Sequence, residues 1–265
     1  MKRKIYTVDA FTSERFKGNP AGVCFADKEM TENEMQSIAA EMNIAETAFF
    51  YKDDENYSLR WFTPESEVDL CGHATLATSH IIWETGTEDK SKKLSFETRS
   101  GILNAEFQNG KIKIDLPSIP CVKTDPIEIL MKALGHPDPV FIGKTRYNYL
   151  VELKNADELR NIKPNFEKIR SQTDFYGCII TAVSDNKKYD FISRYFAPSK
   201  GINEDPVTGS AHCTLAPYWK EKLQKEGRLN AYQASKRGGE LELEVSGDRV
   251  FLFGDAVTFL SGEIN

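Results

Sequence analysis

The strongest constraint on the fold is that the chain repeats itself. Arg60 to Ala77 reads RWFTPESEVDLCGHATLA, and Arg194 to Ala216 reads RYFAPSKGINEDPVTGSAHCTLA. In both copies an Arg-aromatic-Phe-small-Pro run leads to an acidic residue and then to Gly-polar-Ala. Further on, RSGILNAEFQNGKIKI from Arg99 aligns without a gap to RGGELELEVSGDRVFL from Arg237, each an alternating strand, a Gly-containing turn and a second alternating strand. A repeat of about 130 residues is too long for a solenoid, whose units run to roughly 20–50 residues, and predicts two homologous domains related by a pseudo-twofold axis. The divide is expected in LPSIPCVKTDP, Leu116 to Pro126, which carries three prolines and no apolar period. This places the domains at 1–118 and 119–265.

Local signals fill in the two halves. Thr31 with Glu34 forms a capping box, and Met35, Ile38, Ala39 and Met42 make one apolar stripe, which predicts a surface helix over 31–42. AETAFFY reads as a strand. After Gly72, ATLATSHIIW is apolar almost all round, the pattern of a helix buried on every side, and Gly86 is placed to close it. In the second copy Asp205 reads as an N-cap with Pro206 in the first turn, and Pro217 is expected to bend or shorten the helix that follows. The expected class is α+β, each domain a strongly curved, mostly antiparallel sheet wrapped around one central helix.

Composition narrows the partners. A net charge of −6 and the absence of long Lys/Arg runs argue against nucleic acid, and no run of 18 apolar residues marks a membrane span. The five cysteines are odd in number and form no CxxC pair, which fits reduced thiols in a cytoplasmic protein better than a disulfide framework. The partner expected is a small metabolite.

If the two copies face each other, both buried helices aim their N-termini at one cleft. Free backbone N–H groups and the helix dipole favour an anion there, and Gly72 and Gly209 let a ligand come close. A small carboxylate between the domains is therefore the expected ligand. Glu46, at the mouth of an apolar strand, is the candidate general base or acid, with a solvated strand-end glutamate as the alternative. His73 and Asp205 hold comparable places in the two copies; each could equally be a helix-start residue without chemistry, Asp205 simply a cap. Cys71 lies at a helix start, where a thiol is acidified, so a nucleophile is conceivable. No metal is expected, because His80, His136 and His212 stand in no ligand spacing with Cys71.

GNPAGV from Gly18, NIAET from Asn43, EVDLCGHATLA from Glu67, SRYFAP from Ser193, EDPVTGSAHC from Glu204 and QASKRGG from Gln233 resemble the PhzF-like family of phenazine-biosynthesis isomerases over nearly the whole chain. The resemblance implies the diaminopimelate-epimerase fold and a cofactor-independent isomerase, commonly dimeric. It implies that Glu46 shuttles a proton on a small, unsaturated cyclic carboxylic acid, while His73, Asp205 and Ser210 hold and polarise it. Gly72 and Gly209 then give close backbone approach, and Asn19 is a weaker candidate contact. Epimerases and racemases of the wider fold use two cysteines, one at each helix start. Cys71 matches the first and Thr208 stands at the second; an alcohol is too weak a base near neutral pH, which disfavours the two-thiol route and makes Cys71 a small filler. A thiol-assisted epimerase or dehydratase using Cys71, and a binding protein without turnover, are the alternatives.

Overall fold

A computed structural model describes residues 2–171 and 175–265. The chain divides into two compact units, Met1–Leu116 with Phe251–Asn265, and Pro117–Val250. Among the described residues no helix is long and apolar enough to cross a membrane.

The first unit opens with β1 (Arg3–Ala10), β2 (Asn19–Phe25), α1 (Glu32–Met42), β3 (Glu46–Asp53), β4 (Asn56–Phe62) and β5 (Glu67–Val68). It continues through α2 (Gly72–Glu84), β6 (Leu94–Thr98), β7 (Gly101–Gln108) and β8 (Lys111–Pro117). The predicted capping box is present: Glu34 N–H donates to Thr31 Oγ1 at 3.3 Å and Thr31 N–H to Glu34 Oε2 at 2.8 Å. β1 and β2 pair antiparallel, β2 and β3 parallel, β3 and β4 antiparallel, β4 and β6 parallel, and β6 through β8 antiparallel. Helix α2 packs against β1, β2 and β3 and is buried from Gly72 to Trp83 except at His80, as its all-round apolar sequence predicts. Leu76, Ile81 and Ile82 are fully enclosed, and each such side chain contributes roughly 1.5–3 kcal/mol by leaving water. Beyond the cap residue Thr85, Gly86 takes a positive φ and closes the helix.

The second unit contains β9 (Val122–Lys123), α3 (Glu128–Ala133), β10 (Phe141–Lys144), β11 (Asn148–Glu152), α4 (Ala156–Asn161) and α5 (Phe166–Arg170). Then come β12 (Gly177–Val183), β13 (Phe191–Ala197), β14 (Ile202–Asp205), α6 (Gly209–Leu223), β15 (Leu229–Gln233), β16 (Gly239–Ser246) and β17 (Arg249–Gly254), which passes into the first unit at Phe251. Its pairings run in the same order as those of the first unit: β10 with β11 antiparallel, β11 with β12 parallel, β12 with β13 antiparallel, β13 with β15 parallel, β15 with β16 antiparallel. The duplication extends to side chains. Arg60 reaches from β4 to Glu67 of β5 with two hydrogen bonds at 2.7 and 2.5 Å. Arg194 reaches from β13 to Glu204 of β14 at 2.7 and 3.0 Å. Each forked pair ties down the run of chain leading into the central helix of its unit.

The structure differs from the sequence reading in three places. The expected second domain, 119–265, loses its tail from Phe251 onward: most of β17 and all of β18 (Ala256–Ile264) belong to the first unit, and β18 pairs antiparallel with β1 over eight positions. Asp205 is not the N-cap of the second central helix. It ends β14, and Thr208 is the cap residue, because the turn 205–208 is folded by long-range hydrogen bonds rather than by a local cap. Pro217 does not shorten α6, which runs on to Leu223. A proline leaves the carbonyl four residues earlier without its helical donor. Here that carbonyl, on Cys213, accepts from Ile119 N–H at 3.0 Å.

Candidate active site

Local backbone geometry brings three segments of the first unit together. Gly18 has φ +64°, and a Cβ there would strike the Ala10 carbonyl, so only glycine lets the chain turn back to set Asn19 opposite Ala10 at the start of β2. Asn43 ends α1 in the left-handed region at φ 48°, and the chain turns into β3, whose first residue, Glu46, lies beside Ala21 of β2. Cys71 caps α2 in an extended conformation, and His73 falls in the first turn.

These elements surround one imidazole. His73 Nε2 lies 3.2 Å from Glu46 Oε2. The approach is close, but off the hydrogen-bonding direction, and among the described residues neither atom has a hydrogen-bond partner. His73 Nδ1 lies 3.3 Å from Asn19 Nδ2 and 3.5 Å from Cys71 Sγ. In the neutral ring, with the amide nitrogen facing it, Nδ1 accepts and Nε2 carries the proton toward Glu46; in the charged ring Nδ1 also carries a proton, which the Asn19 carboxamide meets by turning its oxygen to it. The side chains of His73 and Glu46 are only 6% and 14% exposed. Burial opposes charge on His73, but Cys71 and Glu46 together outweigh it and hold the imidazole well above its ordinary value. Burial pushes the Cys71 thiol up, more than His73 pulls it down, so the helix-start acidification open to Cys71 on sequence is overridden by loss of water.

The second unit builds a counterpart from Asp205, Thr208 and Gln233. Thr208 Oγ1 donates to Asp205 Oδ2 at 2.5 Å. Gln233, from the end of β15, accepts from Thr208 N–H at 2.9 Å through Oε1 and donates through Nε2 to the Asp205 carbonyl at 2.7 Å and to Thr208 Oγ1 at 3.1 Å. Asp205 and Gly209 are buried and Ser210 is half-buried. His212, one turn into α6, donates from Nδ1 to the Thr208 carbonyl at 2.8 Å, and burial pushes its pKa down to about 4.

Residues 8–262 match the phenazine biosynthesis-like protein family. The chain belongs to it. An uncharacterized isomerase of Halalkalibacterium halodurans is 49% identical, over all of this chain and 99% of that one. The crystal structure of a PhzF-family phenazine biosynthesis protein of Enterococcus faecalis is 40% identical, covers 100% of both chains and has a TM-score of 0.93. A predicted epimerase of Pseudomonas aeruginosa, 18% identical over 99% of each chain, shares the fold alone with a TM-score of 0.74. The fold is thus epimerase-like, and, with family relatives named as isomerases, the chain is an enzyme of the isomerase class.

Of the residues singled out on sequence, the structure brings Glu46, His73 and Asn19 together beside Gly72 in the first unit, and sets Asp205 at the end of β14 with Gly209 and Ser210 opening α6 in the second. Gln233 was missed. Its signal lay in the QASKRGG run by which this phenazine biosynthesis-like chain resembles its family, but a glutamine at a strand end carries no chemistry that would mark it. The closeness of Cys71 to Glu46 was missed too: one donor atom each from Glu46, Cys71 and His73 lie within 4.8 Å of one another, so these residues could hold a metal ion.

Proposed function

We propose that this protein is a cofactor-independent isomerase that moves a proton within a small, unsaturated carboxylic acid, with Glu46 as base and then as acid. The observation that supports the reading is the Glu46 carboxylate, only 14% exposed and set 3.2 Å from the buried His73 Nε2. Glu46 takes a proton from a substrate carbon, and the electron pair left behind delocalises over the conjugated acid. Glu46, now the acid, then delivers a proton to another carbon, and solvent deuterium enters where its carboxyl exchanges before that delivery. His73, held well above its ordinary pKa, supplies positive charge beside the reacting atoms while Asn19 fixes its ring.

The substrate's carboxylate is assigned to the backbone N–H groups at the starts of α2 and α6, at Gly72 and at Gly209 with Ser210, where each helix end favours an anion by about 0.3–2 kcal/mol. Both helix starts are proposed to serve one substrate, with Asp205 as a polarising group. Five free cysteines support a reducing cytosol as the place of work.

Incubation with conjugated hydroxy or amino acids in deuterated water tests the role of Glu46. Loss of general acid–base catalysis costs about 10²–10⁴-fold, so Glu46→Gln is expected to lower deuterium incorporation and turnover by that factor. Wild-type rates in Glu46→Gln would remove the proposal.

The approach of Cys71 Sγ to His73 Nδ1, 3.5 Å, favours a second reading, a thiol-assisted epimerase or dehydratase. Against it stand the raised thiol pKa and the Thr208 hydroxyl, which is already given to Asp205. Alkylation of Cys71 separates the two, since inactivation of Cys71→Ser with full activity in Glu46→Gln belongs only to the thiol route.

A further inference from the structure

We propose that Glu46, Cys71 and His73 form a chelating site for a soft divalent ion, zinc above all, and that the bound ion switches off proton transfer by occupying Glu46. The binding stands on the geometry alone; the inhibition rests on the reading of Glu46 as the base.

A thiol, an imidazole and a carboxylate are the three side-chain types that zinc takes, and three protein ligands leave a fourth position for water. Metal–ligand lengths of about 2.0–2.3 Å place the donors of a tetrahedral ion roughly 3.2–3.7 Å apart. Two edges of the cluster already have that length, Oε2 to Nε2 at 3.2 Å and Sγ to Nδ1 at 3.5 Å. They run to opposite nitrogens of one ring, so a single ion requires the thiol to turn about χ1 toward the Nε2 side. The 4.8 Å span of the three donor atoms is within that turn.

Charge also matches. A thiolate and a carboxylate neutralise a dication, the Cys71 thiol proton and the Nε2 proton of the charged His73 ring leave to solvent, and no electron is transferred. Exclusion of water strengthens each of these attractions. Asn19 completes the surroundings: with the ion on Nε2, the ring's remaining proton sits on Nδ1, and the Asn19 carboxamide 3.3 Å away can turn its oxygen to accept it. A ligating histidine held in this way by its other nitrogen is the arrangement that orients such ligands.

Cobalt(II) is the probe, because a thiolate bound to it absorbs in the near ultraviolet. Titrated into the full chain, it is expected to give this band with one ion per chain, and zinc to displace it. Cys71→Ala should remove the band and weaken zinc binding at least tenfold by calorimetry, although Cys24, Cys121, Cys178 and Cys213 remain. His73→Gln should weaken it comparably, with circular dichroism showing both variants folded. Absence of stoichiometric binding at millimolar metal, or a band that survives Cys71→Ala in folded protein, overturns the site whatever Glu46→Gln does to turnover. A band lost in Cys71→Ala upholds it even if Glu46 proves not to be the base.

Discussion

His73 and His212 are both buried imidazoles, one in each central helix, and their surroundings drive them in opposite directions. His73 faces Cys71 and Glu46 and is held well above its usual value, whereas His212 faces the Thr208 carbonyl and the ring of Phe191 and falls to about 4. An unfolded histidine titrates near 6.5, so between about pH 6.5 and 4 the unfolded chain binds a proton at His212 that the folded chain refuses. The penalty is absent above pH 6.5 and grows to about 3 kcal/mol as the pH falls to 4. Urea unfolding of wild type and His212→Gln across this range should show the acid loss reduced in the variant; identical slopes would contradict it. Gln233 carries a different kind of prediction. Gln233→Leu strands the Thr208 N–H and the Asp205 carbonyl in a buried turn, each at a cost of about 1–3 kcal/mol. Denaturation should register a loss of roughly 2–5 kcal/mol, and with the turn that carries Asp205 loosened, KM should rise more than kcat falls.

At the level of elements, legibility tracks the range of the interactions. The capping box of α1 and the all-round burial of α2 were readable because Thr31 and Glu34 settle the first among near neighbours and an unbroken apolar run settles the second. The start of α6 was misread because Asp205-Pro206 carries a good local cap signal, yet Gln233 claims the turn from a distant strand. The Glu46–His73 pair was named from its motifs, but nothing local shows that its atoms come to 3.2 Å, since that depends on β2 and β3 pairing in one register. Pro217 makes the same point in a testable way. Its missing N–H is replaced at the Cys213 carbonyl by Ile119 N–H, a donor from a remote part of the chain. Ile119→Pro removes that donor and should cost about 1–3 kcal/mol. In a Pro217→Ala background the new alanine N–H can donate instead, so the cost should shrink; equal costs in the two backgrounds would deny the substitution of one donor for the other.

For the whole chain, the repeat announced two units, but the destination of the last strand was not written in it. β18 leaves the second copy and pairs with β1 from Arg3↔Ile264 to Ala10↔Ala256, with one register shift, so the first unit holds both ends of the chain. β1 also pairs with β2 along its other edge, and its Ile5, Val8 and Ala10 are buried. Removing 256–265 would strip a row of backbone hydrogen bonds worth about 0.5–1.5 kcal/mol each, a large share of the roughly 5–15 kcal/mol that holds a typical domain together. It would also bare an unpaired strand edge that invites association. The truncated chain is therefore expected to melt far lower and to elute as aggregates. The loss should be topological, and rearranging the chain can show this. Because Ile264 sits opposite Arg3, residues 256–264 can be moved ahead of Arg3 through an Asn-Gly turn, the two-residue link that suits an antiparallel hairpin. This permuted chain, ending at Asp255, should recover a melting temperature within a few degrees of wild type and a single elution peak. A truncated chain that melts like wild type, or a permuted one that stays aggregated, would mean that β18 does not stabilise the first unit by pairing with β1.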